Sequence, residues 1–592
     1  MTIAFSVHVE SATAHRATVV ARVAPGSNPT FDLVLPSWVP GSYEIKEYSR
    51  NLQDFTARAA EGGAPLRVER VDKARWRVHS AGAAEVEVVY SVYGHGMITE
   101  GFDVTPEHLF VNAALGLPYV DGRRDEPYDV TLEVPPGWKI YTELARVGEL
   151  PPRFRAHDYD ELVDSPIDCG TPVELGFHAQ GVPHRIVLCG QGGNYEAHRL
   201  EEDHRRIAEA AIRLFGGSPV RHYTFFYHLS DVSDGALEHA NSNSAVLPRT
   251  TFRPLSDYHR SLWIASHEYF HVYNVKRIRP AALDPFDYTR EMYTKLLWAM
   301  EGTTDYYGLL LLRRGGILSP TKYLEKLAGE AHRHLALPGR RVRGLEESSL
   351  LAWVDLYKPT EEFRNRSVSY YLKGLLVSFC LDLEIRQRTE NRASLDTVLR
   401  ALWDRYNRDG RGVGEDELAP IASAAVGVDL APFFARYVTG TDEIDFDAFA
   451  RYAGLTFGAK PKTPDPEDDG EAGWLGLEYE EHQGRVRVTS VLDGGPARRA
   501  GASPGDEIVA IDRGRVGHAE FTKALQRLPP GTSVSLSVFR RGWLTDLSLT
   551  TGTPPPEKHQ FTPVEAPSPL ARSIYESWLE AKWEPAPKKD SA

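Results

Sequence analysis

Alternation of apolar and polar positions governs the first third of the chain. FSVHV, TVVARV, FDLVL, AEVEVVYSVYG and YDVTLEV each repeat with period two, and glycine, proline and polar turn residues separate them. A strand of this kind buries one face and wets the other, so residues 1–175 are predicted to form a β-sandwich. Near residue 200 the period lengthens. HRLEEDHRRIAEAAIRLFGG spaces its apolar residues three and four apart, as an amphipathic helix does, and HYTFFYHL at 222–229 reads as a strand buried on both faces. Helical periods then dominate, which predicts a mixed, mostly helical domain over 176–457.

The pattern stops at GAKPKTPDPEDDGEAG, 458–473, where proline, glycine and acidic residues predict an extended, solvated linker. Short strands, a proline-initiated helical turn and tight glycine turns resume over 474–552 as a small module. The tail, 553–592, holds one amphipathic stretch, SPLARSIYESWLEAKW, predicted to dock on another domain. The fold class expected is therefore multidomain α+β.

Composition narrows the function. At 592 residues the chain exceeds what one core serves, and its 42% apolar and 25% charged content is ordinary for globular domains. No apolar run approaches the roughly 18–20 residues of a membrane span. The start, MTIAFSVHVESATAHRATVVARV, alternates as a strand and lacks the apolar core of a secretory signal, so a cytoplasmic location is expected, or a periplasmic one after processing. A net charge of −14 argues against nucleic acid as a partner, and a membrane is not expected either. The one basic cluster, NVKRIRP at 274–280, reads as a solvated face or helix terminus rather than an anion site. Cys169, Cys189 and Cys380 lack the spacing of a zinc ribbon or a disulfide framework and read as reduced, buried thiols.

Candidate chemistry begins at SHEYFH, 266–271. On a helix His267 and His271 lie one turn apart on one face, so both imidazoles can address one ion, and Glu268 can reach the water that the ion activates. A catalytic zinc needs a third protein ligand and an open position. YTKLLWAMEGTTDYYGLLLL supplies Glu301 as that ligand, with Asp305 four residues on as an acceptor that orients a ligand histidine through its other ring N–H. The alternative, a polar stripe on a surface helix, fits poorly with the apolar residues crowding both sides, because buried carboxylates need partners.

SHEYFHVYNVKRIRP followed by LLWAMEGTTDYY resembles the glycyl aminopeptidase family, zinc peptidases of the gluzincin group that carry a PDZ domain. LPSWVPGSYEIKEYSRNLQDF resembles its amino-terminal β-domain signature, DGALEHANS its substrate loop and SYYLKG its tyrosine segment, so the likeness runs in order along nearly the whole chain. Tyr273, where tryptophan is expected, and VYGHGMITEG depart from the family pattern. The resemblance implies a thermolysin-like catalytic domain with one zinc per chain and preference for small first residues, glycine and alanine. It implies that Glu238, after a close backbone approach at Gly235, receives the substrate ammonium by charge-assisted hydrogen bonding. It implies further that Tyr371, with Tyr370 as fallback, donates to the oxyanion and that Glu268 is the general base.

WLGLEYE and GGPARRAGASPGDEIVAIDRGRV resemble a PDZ domain, in which Trp474, Leu475, Gly476 and Leu477 would form the loop that receives a peptide carboxyl terminus. A PDZ fold that only packs on the catalytic domain is the competing reading. The expectation is a zinc aminopeptidase acting on peptides with a free amino terminus. The alternatives are a zinc endopeptidase that recruits substrate through the PDZ domain, and a peptide-binding adaptor without turnover.

Overall fold

The computed structural model describes residues 2–231, 235–460 and 472–585. These residues cluster into two compact units that interleave along the chain. The first comprises 1–294, 307–317 and 402–415, and the second 295–306, 318–401 and 416–592.

In the first unit the alternating segments do form strands. Ile3–Ser11 runs parallel to Tyr128–Glu133 and antiparallel to Arg16–Val23 in an eight-stranded sheet. Every second residue of Ile3, Phe5 and Val7 and of Ala17, Val19 and Ala21 is buried, as the period-two pattern requires. Two four-stranded sheets, one of them built on Thr30–Val34 and the other on Ile167–Gly170, contribute side chains to the same core. A further sheet of five strands has the order Val173–Ala179, Val182–Cys189, Tyr223–Leu229, Ser242–Leu247, Gly235–Glu238. Its middle pairs are parallel and its outer pairs antiparallel. All seven residues of Tyr223–Leu229 are buried, in keeping with a central strand flanked on both faces. The helices Ala197–Phe215 and Leu255–Phe270 pack together, and Tyr273 stacks on Phe215 at 4.0 Å with its hydroxyl donating to the Gly217 carbonyl at 2.8 Å. The aromatic slot at this departure from the family pattern is thus filled, with Trp403 5.4 Å away.

The second unit is helical around Tyr370–Arg388, whose Gly374 meets Gly302 backbone to backbone. A Cβ on Gly302 would lie 2.5 Å from the Gly374 Cα, so only glycine allows this crossing. The segment holding Gly302 departs from the continuous α-helix expected. Trp298–Gly302 is a π-helical turn, and the α-helix starts at Thr303. Two strands, Leu455–Ala459 and His559–Pro563, pair antiparallel on either side of the carboxy-terminal module. Gly458 and Ala459 therefore belong to a strand rather than to a linker; residues 461–471 of that predicted linker lie outside the described residues. The tail helix Pro569–Leu579 docks on this unit through Trp578, which donates to the Tyr306 hydroxyl at 2.8 Å and packs on Phe379.

Candidate functional site

His267 lies in the last turn of the helix Leu255–Phe270 and His271 caps its carboxyl end; both are buried. The four-residue spacing brings their Nε2 atoms to 2.9 Å from one another. His271 Nδ1 donates to the Asn274 carbonyl at 2.6 Å, which leaves the Nε2 lone pair as the outward-facing donor to a metal. Two nitrogens on a tetrahedral zinc with bonds of about 2.0–2.1 Å lie only slightly further apart than this. The donor set thus fits zinc.

Glu268, also buried, follows His267 on the helix. One oxygen of Glu268, one of Glu238 and a ring nitrogen of His271 all lie within 4.8 Å of one another. Glu238 ends the edge strand Gly235–Glu238, and its neighbour Leu237 belongs to the core of the amino-terminal β-domain. Gly235 itself is exposed at the start of that strand.

The wall around Glu238 was not evident in the sequence. Gly41, in the Pro40–Gly41 turn of the quoted β-domain signature, has φ of +96° and approaches Glu238 closely. A Cβ there would lie 2.6 Å from both Glu238 Oε2 and Leu237 Cδ1. The basic cluster NVKRIRP is not a solvated face. Lys276 is partly buried, its side chain 11% exposed; it donates to Asp164 at 2.8 Å and lies 3.9 Å from Glu238 Oε1. Burial opposes the Lys276 charge, but Asp164 and Glu238 outweigh it and raise its pKa. Glu238, Lys276, Asp164, Trp38 and Tyr43 line one cavity of about 440 Å³.

In the second unit Glu301 is buried on the π-helical turn Trp298–Gly302, and Asp305 lies in the first turn of the helix that follows. Across the Gly302–Gly374 crossing comes the start of Tyr370–Arg388, with Tyr370 and Tyr371 stacked at 4.7 Å and the Tyr371 hydroxyl 3.3 Å from that of Tyr357. Enclosure by protein, and then the Glu301 carboxylate, push the Tyr371 phenol well above its ordinary value, so it keeps a proton to donate.

In the carboxy-terminal module Leu475 is part of the core, and Trp474 exchanges two 2.8 Å backbone hydrogen bonds with Gly552. Gly476 has φ of +73° and packs against Gly495, while Leu477 opens the strand Leu477–His482 at the end of its sheet. Tyr479 reaches from this strand to the helix His518–Gln526, its hydroxyl 3.2 Å from Thr522 Oγ1. The module also contacts residues of its own unit. Asn365 donates to the Val491 carbonyl at 2.8 Å, and Arg498 pairs with Glu362 at 2.5 Å.

Among the described residues, no helix is long and apolar enough to cross a membrane. A model of the peptidase M61 N-terminal domain matches residues 4–171, one of the M61 glycyl aminopeptidase matches 260–377, and a PDZ model matches 473–551. Among curated proteins nothing matches. Of solved structures, an aminopeptidase N family protein from Idiomarina loihiensis is 28% identical, with 98% of this chain and 100% of that one covered at a TM-score of 0.89. An M1 zinc metallopeptidase from Deinococcus radiodurans is 15% identical over 75% of this chain and 94% of its own, with a TM-score of 0.47. Legionella pneumophila aminopeptidase A, in complex with aspartic acid, is 14% identical over 77% and 51%, at 0.46. With both M61 models matched in order and a structure overlaid on almost every residue, the chain is similar to the M61 glycyl aminopeptidases in its amino-terminal and catalytic domains and is a zinc metallopeptidase, an aminopeptidase by class.

Proposed function

We propose that the enzyme removes small first residues, glycine and alanine, from peptides with a free amino terminus. In this reading His267, His271 and Glu301 hold one zinc, Glu268 is the general base and Asp305 orients a ligand histidine. The observation that carries it is the grouping of Glu238, Glu268 and His271 within 4.8 Å. A substrate ammonium bound to Glu238 leaves room for one residue before the scissile carbonyl reaches the base. That geometry favours an exopeptidase over an endopeptidase.

When bound, the zinc supplies the Lewis acidity that makes water a nucleophile near neutral pH and polarises the carbonyl. Glu268 accepts the proton of the attacking water and delivers it to the leaving amine. Tyr371, protonated beside Glu301, donates to the oxygen on which negative charge develops. Glu238 receives the ammonium, Gly235 permits the backbone approach, and Lys276 and Gly41 hold the carboxylate in place. The preference for small residues rests on the family resemblance. The PDZ module offers Leu477–His482 as an edge to which a peptide could add as a strand, with its carboxyl terminus at Trp474–Leu477. The contacts with Asn365 and Glu362 support a packing role beside that one.

Hydrolysis of glycyl and alanyl chromogenic amides beside their N-acetylated forms tests the reading. Only the free-amine forms should be cleaved. Glu238→Gln should slow them on the order of tenfold to a hundredfold, the worth of a charge-assisted hydrogen bond. Equal cleavage of blocked substrates would point to an endopeptidase, and no cleavage by zinc-loaded protein to an adaptor.

A further inference from the structure

A second group of metal-binding side chains converges in the first unit. His108 from the strand His108–Val111, Asp168 from Ile167–Gly170, Cys189 from Val182–Cys189 and His228 from Tyr223–Leu229 each offer a ligand atom within 4.8 Å of the others. Both imidazole Nε2 atoms lie against Asp168 Oδ2, at 3.0 Å for His108 and 2.7 Å for His228. The Cys189 thiol donates to Asp168 Oδ1 at 3.1 Å. Asp168, Cys189 and His228 are buried, whereas His108, Cys189 and His228 line a cavity of about 440 Å³ that also holds Asp103 and Glu107. We propose that His108, Asp168, Cys189 and His228 form a second metal site, separate from the His267–His271 centre, that takes zinc or a similarly soft divalent cation.

The donor set selects the ion. Two imidazoles, a thiol and one carboxylate suit four-coordinate zinc, whereas magnesium and calcium require six or more oxygen ligands. Donors on a tetrahedral zinc are separated by about 3.3 Å when the bonds are about 2.0–2.1 Å long, so small side-chain rotations open the observed contacts to that distance. His108 turns its other nitrogen, Nδ1, towards the Asp103 carboxylate at 3.6 Å, in the arrangement that orients metal-binding histidines.

A purely structural hydrogen-bond cluster accounts for less. A hydroxyl in place of Cys189 would donate to Asp168 more strongly.

The cation enters in exchange for protons. The Cys189 thiol, which donates to Asp168 Oδ1, gives up that proton when a cation takes the sulfur. Entry of one divalent cation displaces the Cys189 proton and the Nε2 protons that both histidines present to Asp168; each imidazole binds as its neutral Nδ1–H form, and the protons in excess pass to solvent. The freed nitrogen and sulfur electron pairs bind the metal.

Cobalt is the probe. Full-length protein stripped with a chelator and reloaded with Co²⁺ alone should bind two ions per chain. It should also show a near-ultraviolet sulfur-to-cobalt charge-transfer band, which a site of two histidines and a glutamate cannot give. Cys189→Ser should abolish the band, and His228→Ala should remove about half of the bound cobalt. Cys169→Ala should keep both signals. His267→Ala should lose hydrolysis and one ion yet retain the band, which separates this site from the catalytic centre. Wild-type protein that takes up one cobalt per chain without the band would overturn the proposal, whatever the folding of the variants.

Discussion

Two clusters of histidines in the first unit invite comparison. In one, His267 and His271 face each other at 2.9 Å from a single helical turn. In the other, His108 and His228 come from different sheets and meet through the Asp168 carboxylate. The first is written in a local period and needs one helix. The second exists only when four strands far apart in the chain take their registers, so no motif announces it. Local spacing reveals only those sites that one element can build alone.

The largest effect should follow from breaking the helical pair. His271→Ala removes one of the two converging nitrogens, so zinc content should fall by one ion per chain and hydrolysis to background while the Cys189 band of the cobalt form persists. Loss of that band in the same variant would mean that the two clusters are not independent.

A second way to sharpen the comparison acts through backbone rather than ligand. Gly302→Ala puts a methyl 2.5 Å from the Gly374 Cα and must force the two segments apart, displacing Glu301 on one and Tyr371 on the other. Stability should drop by about 1–3 kcal/mol, and kcat should fall by more than KM changes. Thermal unfolding and steady-state kinetics check the two together.

The smallest effect on catalysis comes from the acid sensitivity of the fold. His184 and His204 are held down at about 4 by burial, the first bonded to the Tyr269 hydroxyl at 3.0 Å and the second to that of Tyr227 at 2.6 Å. Unfolding lets both charge at their ordinary value of 6.5. The unfolded chain therefore binds more protons between about 4 and 6.5. Stability should decline as pH falls through that window and the loss should be complete below it, on the order of 3 kcal/mol per histidine. Denaturant titrations at pH 7 and pH 4.5 measure this, and replacing either histidine with Gln should flatten the slope.

Much of the fold was legible because its strands and helices carry clean periods, as in Ile3–Ser11 and Ala197–Phe215. Tyr223–Leu229 read correctly as a doubly buried strand for the same reason. The π-helical turn at Glu301 was not legible, since its residues suit an α-helix equally well and its cause is the tertiary contact at Gly374. Lys276 looked like part of a solvated cluster because composition cannot show Asp164, 112 residues earlier, arriving to pair with it. The Gly41 approach to Glu238 had a signal, the Pro–Gly turn, but the turn does not say what it touches.

The account rests on Glu268 moving protons while the adjacent histidines hold the ion. Zinc content and hydrolysis of a glycyl amide by Glu268→Gln test this most directly, since the substitution keeps the side-chain shape and removes the base. The account predicts zinc retained at the wild-type level and a rate lowered by about a hundredfold to ten-thousandfold. Wild-type turnover, or loss of the zinc along with the rate, would contradict it.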